Sequence, residues 1–174
     1  METLLETPPF VAFPKIARLN RDIVVTEKLD GTNACVHVTE DGQIVAGSRT
    51  RWLTVEKDNF GFARWVAENK DELLKLGVGT HFGEWFGSGI QRGYGLKEKR
   101  FYLFNTNRWN DDAVRPVCCG VVPTLYFGSF SAFNQDSYLD QLRNEGSVAV
   151  PGFMKPEGTG CFPHRVKHAL QGDV

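Results

Sequence analysis

The dipeptide Asp41-Gly42 stands between two short runs rich in apolar and β-branched residues, Cys35-Val36-His37-Val38 and Ile44-Val45-Ala46. Glycine adopts the backbone of a tight two-strand connection at little cost, so this arrangement predicts a hairpin and antiparallel sheet. Residues 23–28 predict another strand, led by Ile23-Val24-Val25-Thr26. Thr80–Phe86 and Phe101–Asn105 read the same way, as does Val117–Phe127 with a break at Pro123. Asp58 is placed to cap a helix carrying Phe62, Trp65 and Val66 at helical spacing, with Leu73, Leu74 and Leu76 beyond. Ser137–Arg143 predicts a short helix that Gly146 stops. Strands predominate and helices do not alternate with them, so the expected class is α+β: antiparallel β-sheets with few helices. The 174 residues suit one domain spanning 1–174.

Composition narrows the function. No window is apolar for long enough to cross a bilayer, and Met1-Glu2-Thr3-Leu4-Leu5-Glu6 lacks a secretory layout. Cys35, Cys118, Cys119 and Cys161 form no C-x-x-C pair, which argues against a zinc site and for a cytoplasmic protein with reduced thiols. A net charge of -1 argues against a broad basic nucleic-acid surface but allows a local groove of Arg and Lys. His37, His81, His164 and His168 show no metal-ligand spacing. Gly87–Gly95 is glycine-rich without the P-loop lysine and serine; it reads as a mobile loop, with Arg92 a candidate backbone-phosphate contact.

Lys28 closes the first predicted strand and is followed by Leu29-Asp30-Gly31-Thr32-Asn33. A lysine nucleophile must shed its proton, and an unperturbed lysine (pKa of roughly 10.4) is almost wholly charged at neutral pH. Burial and nearby cations lower that value. Arg49, Arg51 and a bound divalent metal are the candidate cations. Otherwise Lys28 is simply a solvated strand-end lysine.

Glu27-Lys28-Leu29-Asp30-Gly31-Thr32-Asn33 resembles the nucleotidyl-lysine motif of ATP-dependent polynucleotide ligases. The Gly-Thr-Asn extension is most similar to the RNA ligase branch that includes phage double-strand-type and RNA-editing ligases. Ser48-Arg49-Thr50 resembles that branch's arginine motif, and Phe82–Gly87 its motif with a ribose-holding glutamate. Phe101–Asn105 resembles the adenine-stacking motif, and Met154–Gly158 the motif near metal and phosphate. The likeness runs from about Thr26 to Gly158. It implies the nucleotidyltransferase (ATP-grasp-like) domain of these ligases, with ATP, Mg²⁺ or Mn²⁺, and broken RNA ends as partners. Lys28 is then the nucleophile that becomes a lysine–AMP phosphoramidate. Arg49 offers a donor fork to phosphate. Glu84 accepts from ribose hydroxyls, and Phe104 gives a π-face to the purine unless it is plain core. Asp30 and Glu157 are the metal ligands, although Asp30 has an alternative as cap of its own turn. By resemblance alone, Glu27 contacts adenine and Asn33 serves the sealing step. Glu145-Gly146-Ser147-Val148 spells the same acidic motif, but the approach through Pro151–Pro156 favours Glu157.

The likeness breaks after Gly158. The family then carries a strand with phosphate-gripping lysines, whereas Thr159–His168 offers only Lys167, close to Glu157, and Pro163 interrupts. A reading-frame shift near His164 would account for this: with suitable codons, residues 169–173 read one base later spell Leu-Phe-Lys-Val-Thr. On that expectation residues from about Arg165 onward are out of frame, the sheet keeps an exposed edge, and no separate C-terminal domain follows. The activity implied is sealing of 5′-phosphate to 3′-hydroxyl RNA ends. The rivals are a degenerate member that binds nucleotide or RNA without turnover, and an RNA-capping guanylyltransferase. The sequence carries no signal of oligomeric state.

Overall fold

A computed structural model describes residues 21–164. Two sheets organise the domain. The larger has six strands in the order β4-β3-β2-β5-β6-β7. These are β2 (Thr32–Val38), β3 (Ile44–Ser48), β4 (Trp52–Leu53), β5 (Gly79–Gly87), β6 (Lys99–Leu103) and β7 (Cys119–Val121). The smaller is β8-β1-β9, with β1 Asp22–Lys28, β8 Thr124–Ser129 and β9 Gly158–Pro163. The helices are α1 (Phe62–Glu68), α2 (Lys70–Leu73), α3 (Thr106–Trp109) and α4 (Gln135–Glu145). No helix among the described residues is long and apolar enough to cross a membrane.

The α+β expectation holds, and the predicted hairpin is the β2–β3 pair, with Gly42 at φ 78° in its turn. Asp58 caps α1 from outside: its carboxylate accepts from the backbone N–H groups of Ala63 and Arg64. Gly146, at φ 84°, closes α4 and returns its N–H to the Leu142 carbonyl. Glu145 is thus a helix end, receiving a hydrogen bond from Gln141.

Two corrections concern topology. One pair, β6 and β7, is parallel; the stretch 104–118, containing α3, provides the crossover that parallel pairing requires. The strand expected over Val117–Phe127 is two strands in different sheets, β7 and β8, and Pro123 lies where the chain passes between them. The Pro123 carbonyl accepts from the N–H of Glu27, which ties that switch to β1. Pro163 is the last residue of β9, opposite Ile23, and β9 is an edge strand among the described residues, where proline is tolerated. Lys167 and the proposed out-of-frame tail lie outside the described residues.

Alternation along β5 and β6 divides the core. Trp85 and Phe101 point to one face of the large sheet, where Phe62 and Trp65 of α1 complete an aromatic cluster with ring centroids 5.1–5.7 Å apart. Phe86 and Tyr102 point to the other face and pack with Leu29, Tyr94 and Val122. That second face turns toward the small sheet, and the two enclose the candidate site.

Candidate active site

The site lies at the carboxyl end of β1. Val24, Thr26 and Lys28 alternate onto one face of that strand, and antiparallel pairing sets Phe162, Gly160 and Gly158 of β9 beside them. A cleft of about 410 Å³ opens there. Of the residues read from sequence, Glu27, Lys28, Asp30, Asn33, Arg49 and Glu84 line it. Phe104 and Glu157 line it as well. Positions 129 residues apart thus meet: the Lys28 ammonium hydrogen-bonds Glu157.

That pair bears on the two readings of Lys28. Its side chain is more than half exposed, as a solvated strand-end lysine's is, and its closest partner is a carboxylate rather than a cation. The hydrogen bond to Glu157 and that group's negative charge raise the lysine pKa above its ordinary value. Arg51 offers no help: its guanidinium donates to the carbonyls of Lys57 (2.8 Å) and Asp58 (3.1 Å) and braces that loop. Arg49, two residues earlier, faces the cleft.

Glu84 is the most perturbed acid. The β2–β5 register places it opposite Asn33. Asn33 Nδ2 donates to Oε2 at 3.0 Å, and the Gly31 N–H donates to Oε1 at 3.1 Å. Burial outweighs these two bonds and, with the charges of Glu157 and Asp30, pushes the carboxyl up to about 7. The sign of the resulting pH dependence follows. The folded state holds this proton more tightly than the unfolded chain, so the stabilisation is complete below about pH 4.5 and is lost as pH rises through about 7. Glu84→Gln should remove that slope: between acid and mildly alkaline buffer, wild type should lose on the order of 2 kcal/mol relative to the variant, read by thermal melts across pH.

Glu27 is almost wholly buried. Its Oε2 accepts from the N–H groups of Val148 and Ala149, both at 2.9 Å, and so latches the segment after α4 onto β1. Its Oε1 is buried without a hydrogen-bond partner among the described residues. Asp30 does not cap its own turn through its carboxylate; that group faces Arg92 at 3.5 Å. Arg92 is therefore engaged at the cleft rim. The segment 87–95, expected as a mobile loop, is pinned by Ile90 and Tyr94, both buried.

Tyr94 escaped the sequence reading. Its hydroxyl accepts from the Asp30 N–H at 2.7 Å, supporting the turn behind Lys28. Its φ is 54°, a conformation that non-glycine residues seldom adopt. Burial pushes the phenol up to about 12, so it stays protonated. Its sequence signal is slight: a lone aromatic residue within the glycine-rich stretch 87–95.

For a metal, the donors are hard oxygens: Asp30, Glu84 and Glu157 line one cleft. Among the described residues no three such groups converge into a cage. This sparse set fits Mg²⁺ or Mn²⁺, which retain waters and share substrate phosphates. Chemically, the cleft offers an amine nucleophile, an arginine fork, a half-buried aromatic face and carboxylates for hydroxyls or a hard cation.

The profile of the family described as RNA ligase matches residues 21–159. The fold resembles solved structures of the Naegleria gruberi RNA ligase. A variant with ATP and Mn shares 23% identity at TM-score 0.59, over 83% of this chain and 46% of that one. The form with PPi shares 21% at 0.57, over 93% and 55%. A variant with AMP and Mn shares 23% at 0.52, over 70% and 41%. The chain thus spans about half the length of these proteins. No curated protein matches at the level of sequence.

Proposed function

The chain belongs to the RNA ligase family, and from that premise we propose that it is an ATP-dependent nucleotidyltransferase that moves AMP onto Lys28 and then onto a 5′-phosphate, for sealing to a 3′-hydroxyl of RNA. The supporting observation is one cleft shared by Lys28, Arg49, Glu84 and Phe104. The Lys28 ammonium first loses a proton to water; Nζ then attacks the α-phosphorus, the N–P bond forms, the bond to pyrophosphate breaks, and the nitrogen releases a second proton to water. Arg49 offers two parallel N–H donors to the phosphate oxygens. Glu84, braced by Asn33 and Gly31, accepts from ribose hydroxyls when ionised. Phe104 provides a π-face to the purine, and Glu27 Oε1, without a hydrogen-bond partner among the described residues, is an acceptor for its amino group. Glu157 steadies the amine while keeping it charged, so attack requires that bond to weaken. When bound with ATP, Mg²⁺ or Mn²⁺ supplies positive charge against the phosphates, and Asp30 and Glu157 are the residues to hold it.

The departure from the family pattern after Gly158 favours a second reading, a module that binds nucleotide or RNA without turnover. Intact-mass measurement after incubation with a divalent metal and either ATP or GTP separates the readings. The expected result is one AMP adduct from ATP, mapped to the Lys28 peptide. A GMP adduct would instead indicate a capping guanylyltransferase. Folded protein with no adduct from either nucleotide would leave only the binding module.

A further inference from the structure

The Lys28 cleft continues into a larger trough of about 900 Å³, and Thr26, Phe104 and Phe162 line both. One wall is the small sheet, where antiparallel register sets Val24 of β1 beside Phe162 of β9; Phe127 of β8, on the other side of Val24, faces the adjoining recess. The opposite wall is the far end of β5, bearing Phe82, together with the segment 104–109. Phe82, Phe127 and Phe162 are 61%, 57% and 50% exposed, in contrast to the fully buried Phe62, Phe86 and Phe101. Asn105, Asn107 and His164 stand between these rings, and Asn110 and Thr124 line an adjoining recess against Phe127. Among the described residues no Asp or Glu lines the trough or the recess, although the chain carries 21 acidic residues. The neighbouring cleft, by contrast, is lined by four of them: Glu27, Asp30, Glu84 and Glu157.

We propose that this trough seats the single-stranded flank of an RNA end. Exposed rings on both walls give unstacked bases π-faces, the amides and His164 offer partners for base edges and sugar hydroxyls, and a carboxylate-free lining tolerates a polyanion. Arg108 is occupied, donating to the Leu76 carbonyl at 2.8 Å with its guanidinium 4.4 Å from the Trp109 ring, so stacking rather than phosphate pairing dominates here. The inference rests on the ligase reading, because continuity with the cleft brings the strand's terminus to Lys28. It also divides the labour: nucleotide in the carboxylate-lined cleft, strand in the carboxylate-free trough.

The test uses the full chain and a short, fluorescently labelled, 5′-phosphorylated single-stranded RNA at fixed salt. Phe82→Ser and Phe127→Ser remove exposed rings outside the Lys28 cleft. Each should weaken binding about fivefold or more by fluorescence anisotropy and leave the AMP adduct from ATP unchanged. Ultraviolet cross-links to RNA should map to peptides carrying Phe82, Phe127 or Phe162. Unchanged affinity in both variants, with cross-links elsewhere, overturns the inference while leaving an observed adduct standing. Hydrogen-exchange protection of β8 and β9 that RNA does not alter would show that another protein segment covers the trough, and also overturns it. RNA binding that depends on the trough in a chain that never gains AMP would instead overturn the ligase reading alone.

Discussion

Lys28→Arg abolishes the covalent AMP adduct while preserving the charge at the mouth of the cleft. The substitution separates two roles that alanine would remove together. Lys28 is half-exposed at a strand end, and its resting partner is the Glu157 carboxylate. Arginine satisfies that partner equally well, so stability should change by no more than about 0.5 kcal/mol. Were Lys28 only a phosphate-binding cation, arginine would serve. A guanidinium, however, cannot be deprotonated in a protein and so has no free pair for phosphorus. The expected result is adduct at background by intact mass, with ATP binding retained within about tenfold because Glu84, Asn33 and Phe104 remain. An adduct of wild-type yield, mapped to another lysine, would remove Lys28 from its role.

Much of this site was legible because register does the positioning. Once β2 and β5 are recognised as strands of one sheet, Asn33 and Glu84 fall opposite one another and the turn carrying Lys28 comes alongside. The hairpin needed only Asp41-Gly42 and the alternation around it. What stayed hidden depends on long-range geometry. The latch from Glu27 to Val148 and Ala149 spans more than 120 residues, and no local pattern announces it. The resting partner of Lys28 is equally hidden, because a pKa is set by what folding places nearby, here Glu157 from β9's approach. Arg49 and Arg51 look interchangeable in sequence, yet the bend after β3 sends one to the cleft and the other to two loop carbonyls. Pro123 was seen as an interruption within one strand. Its effect is larger: it marks the passage of the chain from the large sheet to the small one.

Gly31→Ala should be among the most damaging small substitutions in the domain, for a reason unrelated to backbone freedom. Gly31 is not in the left-handed region. A Cβ at this position would instead stand 2.3 Å from the Trp85 carbonyl oxygen and 2.7 Å from Cβ of Phe86. Neither is the free end of a flexible side chain, so the turn or β5 must move. Phe86 is fully buried in the second core cluster and cannot retreat without disturbing Leu29 and Tyr94. Overpacking of this kind costs about 3 kcal/mol, lowering the melting temperature of a domain this size by roughly 6–12 °C. The same displacement breaks the Gly31 N–H bond to Glu84, leaving that buried acid with Asn33 as its remaining donor. Adduct formation should therefore fall by about tenfold or more even well below the melting temperature. Gly42→Ala is the control. Gly42 has φ 78° with nothing within 4 Å of its Cβ position, so alanine there costs only about 1 kcal/mol of backbone strain and leaves the adduct intact. Thermal melts and intact mass on the two variants measure both effects together. Equal losses would mean that crowding at Trp85 does not limit the turn behind Lys28, and that the close approach of the two sheets is softer than its geometry implies.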